Sequence, residues 1–151
     1  ELACDSKSVY VIRLCRPFAV YYPNEFSPVT YIGRGDLKKR LTAHMKSWLK
    51  DISKSLDGAC FEVAVSRPKA KNNIDFYKDV EADLISFFEE DFGAIPINNA
   101  RREKHPRAHT YSETEIKRVF GLGKGKGFKW GIWPMNSNPL GLKSSKAAAR
   151  G

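Results

Sequence analysis

Two tyrosines, an arginine and a histidine stand at a spacing that could bring four polar side chains to one phosphate group. Tyr10 lies in a β-rich run, and Tyr31 begins the tripeptide Tyr-Ile-Gly at the end of a second such run. Arg40 and His44 follow four residues apart, which stacks them on one face of a helix. Arginine makes charge-assisted, bidentate contacts with phosphate oxygens. The set therefore predicts phosphodiester chemistry, and the other interpretation is an exposed basic helix face.

A carboxylate in an apolar helix stripe adds to this set. In the helix predicted over residues 74–91, Glu81 falls at an angle between Ile85 and Phe88. A carboxylate in that position is costly unless it is paired or binds a cation. Mg²⁺ would remove the cost, since it accepts one carboxylate together with waters and phosphate oxygens. A structural salt bridge to a basic residue such as Arg40 is the alternative.

The elements that must position these residues follow the order β-β-α-β-α. Strands are predicted at 8–16, 29–32 and 60–65, and helices at 37–54 and 74–91. Asp36 and Asn73 are suitable N-cap residues for the two helices. The first two strands are expected to pair antiparallel. The predicted fold class is α/β, a small three-stranded antiparallel sheet flanked by helices.

In order and spacing these residues resemble the GIY-YIG endonucleases. The resemblance covers residues 8–99, and it is carried by Ser8-Val9-Tyr10, Tyr31-Ile32-Gly33, Arg40, His44, Glu81 and an asparagine after Pro96. It implies a GIY-YIG nuclease-like fold and hydrolysis of a phosphodiester by water with one divalent ion, Mg²⁺ or Mn²⁺.

The same resemblance implies a role for each residue. Glu81 would be the metal ligand, and Arg40 would stabilise charge on the scissile phosphate. Tyr10 and Tyr31 would orient the nucleophilic water and act as its base, with His44 assisting proton transfer. An unperturbed tyrosine has a pKa near 10, so this role requires arginine, histidine or metal to lower that pKa.

Three details of the motif set differ from the family pattern or are ambiguous. Ser8-Val9 replaces Gly-Ile before the first tyrosine, and the interval to Tyr31 is long. That interval implies an extended hairpin in which Tyr21 and Tyr22 could touch substrate. The site asparagine could be Asn98 or Asn99, and Asn98 is preferred.

The last third of the chain is strongly basic. Residues 101–151 hold 12 basic and 3 acidic groups, a charge of +9 that equals the net charge of all 151 residues. Such a segment attracts polyanions, and double-stranded DNA is the expected partner; a solvated basic tail is the alternative. The predicted DNA-binding residues are Arg34, Lys38, Arg101, Arg102, Lys104, Arg107, Lys124, Lys126 and Lys129.

The domain prediction divides the chain in two. Residues 1–100 form the nuclease-like core, and 101–151 form a basic C-terminal extension whose tail after Pro134 is weakly ordered. Within the extension, Ser112-x-x-Glu115 is a capping-box pattern that predicts a short helix.

Cysteine usage and hydropathy indicate a cytoplasmic, or at least intracellular, protein with no membrane partner. Cys4, Cys15 and Cys60 lack the spacing of a zinc site and are expected to be reduced, mostly buried thiols. No apolar run approaches the length of a membrane span. His105 and His109 have metal-like spacing, but without partner cysteines they do not indicate zinc.

The sequence therefore predicts a Mg²⁺-dependent DNA endonuclease, of a kind that suits a phage or mobile element. A non-catalytic nucleic-acid-binding protein with a nuclease-like core is the alternative, and a basic protein-interaction module is a third reading. The complete set of candidate residues favours the endonuclease, because a site that had lost its activity would be expected to have lost some of these residues as well.

Overall fold

The computed structural model describes residues 6–16, 18–56, 59–101 and 109–121, together with the backbone of 130–132. The strands in these residues are β1 (Ser8–Leu14), β2 (Phe18–Tyr21), β3 (Phe26–Ser27), β4 (Val29–Gly35), β5 (Phe61–Ser66) and β6 (Trp130–Ile132). The helices are α1 (Leu37–Lys46), α2 (Trp48–Ser55), α3 (Phe76–Phe92) and α4 (Glu113–Phe120).

The main sheet has the strand order β4-β1-β5, and both pairings are antiparallel. This confirms the predicted α/β architecture with a three-stranded antiparallel sheet and flanking helices. Tyr10 is opposite Gly33 and Val9 is opposite Arg34. Because residues directly opposite each other share a face and successive residues alternate, Tyr10 and Val9 lie on different faces of the sheet.

Each face of the sheet has its own core. On one face, Val9 and Val11 pack with α3 residues that include Phe88, which is fully buried. Phe88 contacts Tyr22 edge-on and stacks on Phe92. On the other face, a second cluster is formed by Tyr10, Ile12, Leu37 and Leu49, so that α1 and α2 cover this side.

The helix predicted over 37–54 is two helices, separated at Ser47. The Ser47 hydroxyl donates to the carbonyls of Ala43 and His44, at 3.0 and 3.2 Å. A serine side chain that bonds the preceding turn competes with the helical ladder. Ser47 leaves the helical region with φ −110° and ψ −103°, and α2 begins at Trp48.

The segment between the two tyrosine strands is a hairpin of β2 and β3, as the long interval implied. Tyr21 and Tyr22 are buried in it rather than presented to a substrate. The Tyr22 hydroxyl donates to the Val29 carbonyl at 2.6 Å and accepts from the Ile97 amide at 3.1 Å. β2 also pairs in parallel with β6, a contact that the sequence did not indicate.

The prediction of three reduced, mostly buried thiols is wrong for two of them. Cys15 and Cys60 form a disulfide, and Cys60 is exposed; Cys4 lies outside the described residues. The strand register explains the pairing. Cys15 follows β1 and Cys60 precedes β5, so the antiparallel pairing brings their Cα atoms to 5.4 Å and the Cys15 amide to the Cys60 carbonyl.

Helix α4 packs on the core. The Ser112 side chain accepts from the Glu115 amide, which confirms the predicted helix start at Ser112, and the Ser112 hydroxyl donates to the Glu115 carboxylate. Ile116 and Phe120 are buried in the cluster on the α3 face. The described part of the extension is therefore continuous with the core, while the predicted weakly ordered tail lies outside the described residues.

The second predicted helix begins slightly later than expected. Asn73 accepts from the Asp75 amide with its side chain, and α3 begins at Phe76. The helix ends at Gly93, where φ is +79°. Among the residues described, no helix combines the length and the apolar character that crossing a bilayer requires.

An asparagine side chain completes the outer edge of β4. The Asn99 amide oxygen accepts from the Ile32 backbone N–H at 2.9 Å, and its NH₂ group donates to the Ile32 carbonyl at 2.8 Å. Asn99 thus takes the place of a neighbouring strand at this residue. These two hydrogen bonds hold β4 in place between Tyr31 and Gly33.

We expect Asn99→Ala to lower the free energy of unfolding by about 1–3 kcal/mol, because it leaves two part-buried backbone groups of Ile32 without a partner. Urea denaturation measures the change. Asn98→Ala is the matched control: within the described residues its buried amide nitrogen has no hydrogen-bond partner, so its removal should cost clearly less. Equal losses in the two variants would contradict this role of Asn99.

Candidate active site

Strand alternation brings the two tyrosines together on the face that α1 covers. Tyr10 is on β1 and Tyr31 is on β4 opposite Ile12, and the two ring centroids are 6.0 Å apart. Gly33 makes this approach possible. A Cβ atom at Gly33 would collide with the Tyr31 ring and would lie 2.9 Å from the Tyr10 hydroxyl.

Helix α1 adds the arginine and the histidine to the tyrosine pair. The Tyr10 hydroxyl lies 3.1 Å from His44 Nε2, and an Arg40 guanidinium N–H donates to the Tyr31 hydroxyl at 3.2 Å. The charge of Arg40 also acts on the Tyr10 hydroxyl. The structure therefore brings together Tyr10, Tyr31, Arg40 and His44, hereafter the tyrosine cluster.

The tyrosine cluster has a buried end and an exposed end. Tyr10 has 0% of its surface exposed and His44 has 9%, whereas Tyr31 is half-buried and Arg40 is exposed. A ligand arriving from solvent would meet Arg40 and Tyr31 first. Tyr10 and His44 would act from behind them.

Burial governs the electrostatics of the buried end. It raises the pKa of Tyr10 well above its ordinary value, although the neighbouring Arg40 opposes this shift. Burial also lowers the pKa of His44, and the charge of Arg40 lowers it further. The interaction with Tyr10 raises the pKa of Arg40. At neutral pH the cluster consists of a protonated Tyr10, a neutral His44 and a cationic Arg40.

Glu81 lies on the other face of the sheet. Its carboxylate accepts from the guanidinium of Arg34 at 2.5 Å, and its side chain is only 12% exposed. Arg34 is opposite Val9 and hence on the α3 face, whereas the tyrosine cluster is on the α1 face. The cost of a carboxylate in the apolar stripe is thus met by an ion pair, with Arg34 in place of the Arg40 suggested as an alternative.

The two faces meet at the end of β4. Gly33 and Gly35 flank Arg34 there, and a Cβ atom added at Gly35 would find open space. Gly35 has a φ of +109°, a conformation that glycine adopts readily. At this strand end, next to Gly35, one ligand could reach Arg40 on one face of the sheet and Arg34 with Glu81 on the other.

Asn98, the preferred site asparagine, lies beside this strand. Its backbone N–H donates to the Thr30 carbonyl at 3.0 Å. Its side-chain nitrogen is buried and has no partner among the described residues, whereas Asn99 bonds the edge of β4. The structural role therefore belongs to Asn99, and a site role for Asn98 stays a prediction.

The predicted DNA-binding residues are only partly described. Arg34 is half-buried beside Glu81, and Lys38 and Arg101 are exposed. Lys38 is on the first turn of α1. The others lie outside the described residues: Arg102, Lys104, Arg107, Lys124, Lys126 and Lys129.

Further polar groups with possible chemistry were not among the residues singled out from the sequence. Asp83 is 2% exposed and accepts from the Tyr111 hydroxyl and the His109 amide. The His109 ring contacts Asp79 at 3.3 Å, and His105 lies outside the described residues. The indole N–H of Trp48 donates to His44 Nδ1 at 3.1 Å.

The described residues contain no cluster of three or more histidine, cysteine, aspartate or glutamate side chains arranged to hold a metal ion. At the end of β4 the Glu81 carboxylate has one oxygen paired with Arg34, and the Asp36 carboxylate accepts from the Lys39 amide as the N-cap of α1. Comparison of the chain with family models, with curated proteins and with solved structures finds no match.

The buried, neutral His44 makes folding stability depend on pH. Its pKa is lowered in the folded state, so the unfolded chain binds the proton more readily. This contribution is complete above the unfolded value of about 6.5 and is lost as pH falls from there through the folded pKa. We expect His44→Gln to flatten the fall in unfolding free energy between pH 7.5 and about 5, measured by urea titration at each pH. His109→Gln is the control; if it alone flattened the profile, His44 would not be the responsible group.

Proposed function

We propose that this protein is a Mg²⁺-dependent DNA endonuclease that hydrolyses phosphodiester bonds, with the GIY-YIG endonucleases as the class it resembles. The observation that carries the proposal is the tyrosine cluster. Tyr10, Tyr31, Arg40 and His44 come from three elements and form two hydrogen-bonded pairs that pack against each other, with an exposed guanidinium at one end.

In this proposal Arg40 binds and stabilises the scissile phosphate. Its guanidinium is exposed and already oriented by the Tyr31 hydroxyl, so little rearrangement is needed when charge develops on the phosphoryl oxygens. Water attacks phosphorus, the ester P–O bond breaks, and the leaving oxygen takes a proton. The half-buried Tyr31 hydroxyl is the group positioned to orient that water.

Tyr10 and His44 support the site from below. Because burial raises the pKa of Tyr10, its hydroxyl acts as a fixed hydrogen-bond partner rather than as a phenolate base. The neutral imidazole of His44 is a hydrogen-bond partner of that hydroxyl. Proton transfer to and from water therefore falls to Tyr31.

The residues at the end of β4 fit a divalent ion together with a phosphate. Glu81 would hold the ion through its carboxylate, and Arg34 would exchange that carboxylate for a phosphate oxygen. When bound, the ion would polarise a phosphoryl oxygen and lower the pKa of a bound water. The open space beside Gly35, next to Arg34, leaves room for the DNA backbone at this point.

Cleavage of supercoiled plasmid tests the proposal. The full chain should nick or cut the plasmid with Mg²⁺ or Mn²⁺ and leave it intact with EDTA. Glu81→Gln should lower the rate at least about 10²-fold, because the amide is a far weaker metal ligand. Arg40→Lys should lower it about 10–10²-fold, because it keeps the charge and loses the planar fork.

Two controls separate these effects from general damage. Asp51→Asn removes an exposed carboxylate on α2, and Lys46→Ala removes an exposed cation at the end of α1; both variants should cut like the original chain. Absence of metal-dependent cleavage, or full activity in Glu81→Gln, would sink the proposal.

A non-catalytic nucleic-acid-binding protein is the second candidate. The pairing of Glu81 with Arg34 and the complete burial of Tyr10 favour it, because both are stable arrangements without a metal or a substrate. In either case we propose double-stranded DNA as the partner and a phage or mobile element as the source. The Cys15–Cys60 disulfide removes the cysteine argument for an intracellular location.

Binding to a duplex of random sequence should weaken steeply as salt rises, because cationic side chains displace counterions from the phosphates. Fluorescence anisotropy at several salt concentrations measures the slope. Lys38→Ala together with Arg101→Ala should reduce that slope by the amount expected for the loss of about one to two phosphate contacts. An affinity that does not change with salt would contradict a nucleic-acid role and favour a protein-interaction module.

A further inference from the structure

Trp48 makes a polar contact in addition to its packing against other rings. It opens α2 immediately after the break at Ser47, and its indole N–H donates to Nδ1 of His44 at 3.1 Å. Phe61 packs edge-on against its ring at 6.0 Å, and the Tyr31 ring lies 6.1 Å away. The indole is therefore held in place by packing while its N–H reaches the histidine.

This contact fixes which nitrogen of His44 carries the proton. An indole N–H can only donate, so Nδ1 must present a lone pair. In a neutral imidazole the hydrogen is then on Nε2, the nitrogen that lies 3.1 Å from the Tyr10 hydroxyl. His44 is consequently the donor in that bond and the Tyr10 oxygen is the acceptor.

The tautomer of His44 also determines how the Tyr10 hydroxyl is used. Because the Tyr10 oxygen accepts from His44 Nε2–H, the hydroxyl hydrogen of Tyr10 is left for a partner other than the histidine. A hydrogen-bond chain therefore runs from Trp48 through His44 to the Tyr10 hydroxyl. The Tyr31 ring packs beside Tyr10, with ring centroids 6.0 Å apart, and its hydroxyl accepts from Arg40.

We propose that Trp48 is a positioning residue that locks His44 in the Nε2–H tautomer and so makes His44 the hydrogen-bond donor to the Tyr10 hydroxyl. Its consequence for catalysis rests on the proposed nuclease function; the tautomer itself does not. A Tyr10 hydroxyl held in this way keeps its ring in a fixed position beside Tyr31, the tyrosine that faces the substrate in the proposed site.

Protonation of His44 would oppose the same contact. An imidazolium carries hydrogens on both nitrogens, so Nδ1–H would face the indole N–H with no acceptor between them. The titratable groups that face His44 are Tyr10 from β1, Tyr31 from β4 and Arg40 from α1. None of these is an anion at neutral pH that could compensate, which agrees with the lowered pKa of the histidine.

Nuclear magnetic resonance of the full chain with nitrogen-15-labelled histidine tests the tautomer directly. The original chain should show His44 with an unprotonated Nδ1 and a protonated Nε2, assigned by loss of the signals in His44→Gln. Trp48→Phe keeps an aromatic ring and removes only the N–H. We expect it to give a mixture of tautomers and to raise the pKa of His44 by about one unit, the effect of one lost hydrogen bond.

Phe61→Leu is the matched control, because it loosens the packing around the indole and keeps the N–H. It should retain the Nε2–H tautomer. An Nδ1–H tautomer in the original chain, or a Trp48→Phe spectrum identical to that of the original chain, would overturn the inference. Since the first measurement uses the unaltered chain, a Trp48→Phe variant that fails to fold leaves the test decisive.

A kinetic arm separates this inference from the proposed function. If the chain cleaves plasmid, Trp48→Phe should lower kcat about tenfold with KM for DNA unchanged, and Phe61→Leu should not. A change in KM alone would contradict a positioning role in catalysis. A correct tautomer in a chain that never cleaves DNA would overturn the nuclease proposal and leave the role of Trp48 standing.

Discussion

The Tyr10 hydroxyl is the constraint on which much of this structure depends. A fully buried phenol must find hydrogen-bond partners, because leaving it unpaired costs on the order of 1–3 kcal/mol. In the described part of the chain its hydrogen-bond partner is His44 from α1, at 3.1 Å, and the Tyr31 ring from β4 packs beside it. This bond ties α1 to β1, and the two tyrosine rings leave no space for a side chain at Gly33.

The same requirement separates the two faces chemically. On the α1 face, polar groups are linked to one another across elements, and the apolar residues surround them. On the α3 face, aromatic packing dominates around Phe88, and the polar groups form separate pairs such as Arg34 with Glu81. The end of β4 is where these two environments come within reach of a single extended ligand.

The sequence predicted the parts of the fold that depend on periodicity and capping. The residue patterns of β1 and β5 were sufficient to predict these two strands. The capping-box pattern at Ser112 was sufficient to predict α4. The helix break at Ser47 was missed because it depends on a side-chain hydrogen bond that competes with the ladder. The disulfide was missed because cysteines that are distant in sequence became neighbours only through the pairing of β1 with β5.

For the site, residue spacing predicted the members on α1 and their neighbours on the strands. It did not predict that Glu81 would pair with Arg34, since both the ion pair and the metal were compatible with a carboxylate in an apolar stripe. Trp48 gave no polar signal at all, because helical periodicity places tryptophan in a core without saying where its N–H points.

The packing of α4 bears on how this chain can be divided. Ile116 and Phe120 complete a cluster whose other members come from β1 and α3, and Phe120 meets Phe88 with ring centroids 5.4 Å apart. A fragment ending near residue 100 would uncover that aromatic surface and would be prone to self-association. A fragment that keeps this core covered must extend at least through Gly121. The basic residues on α4 therefore belong to the same folded unit as the catalytic candidates.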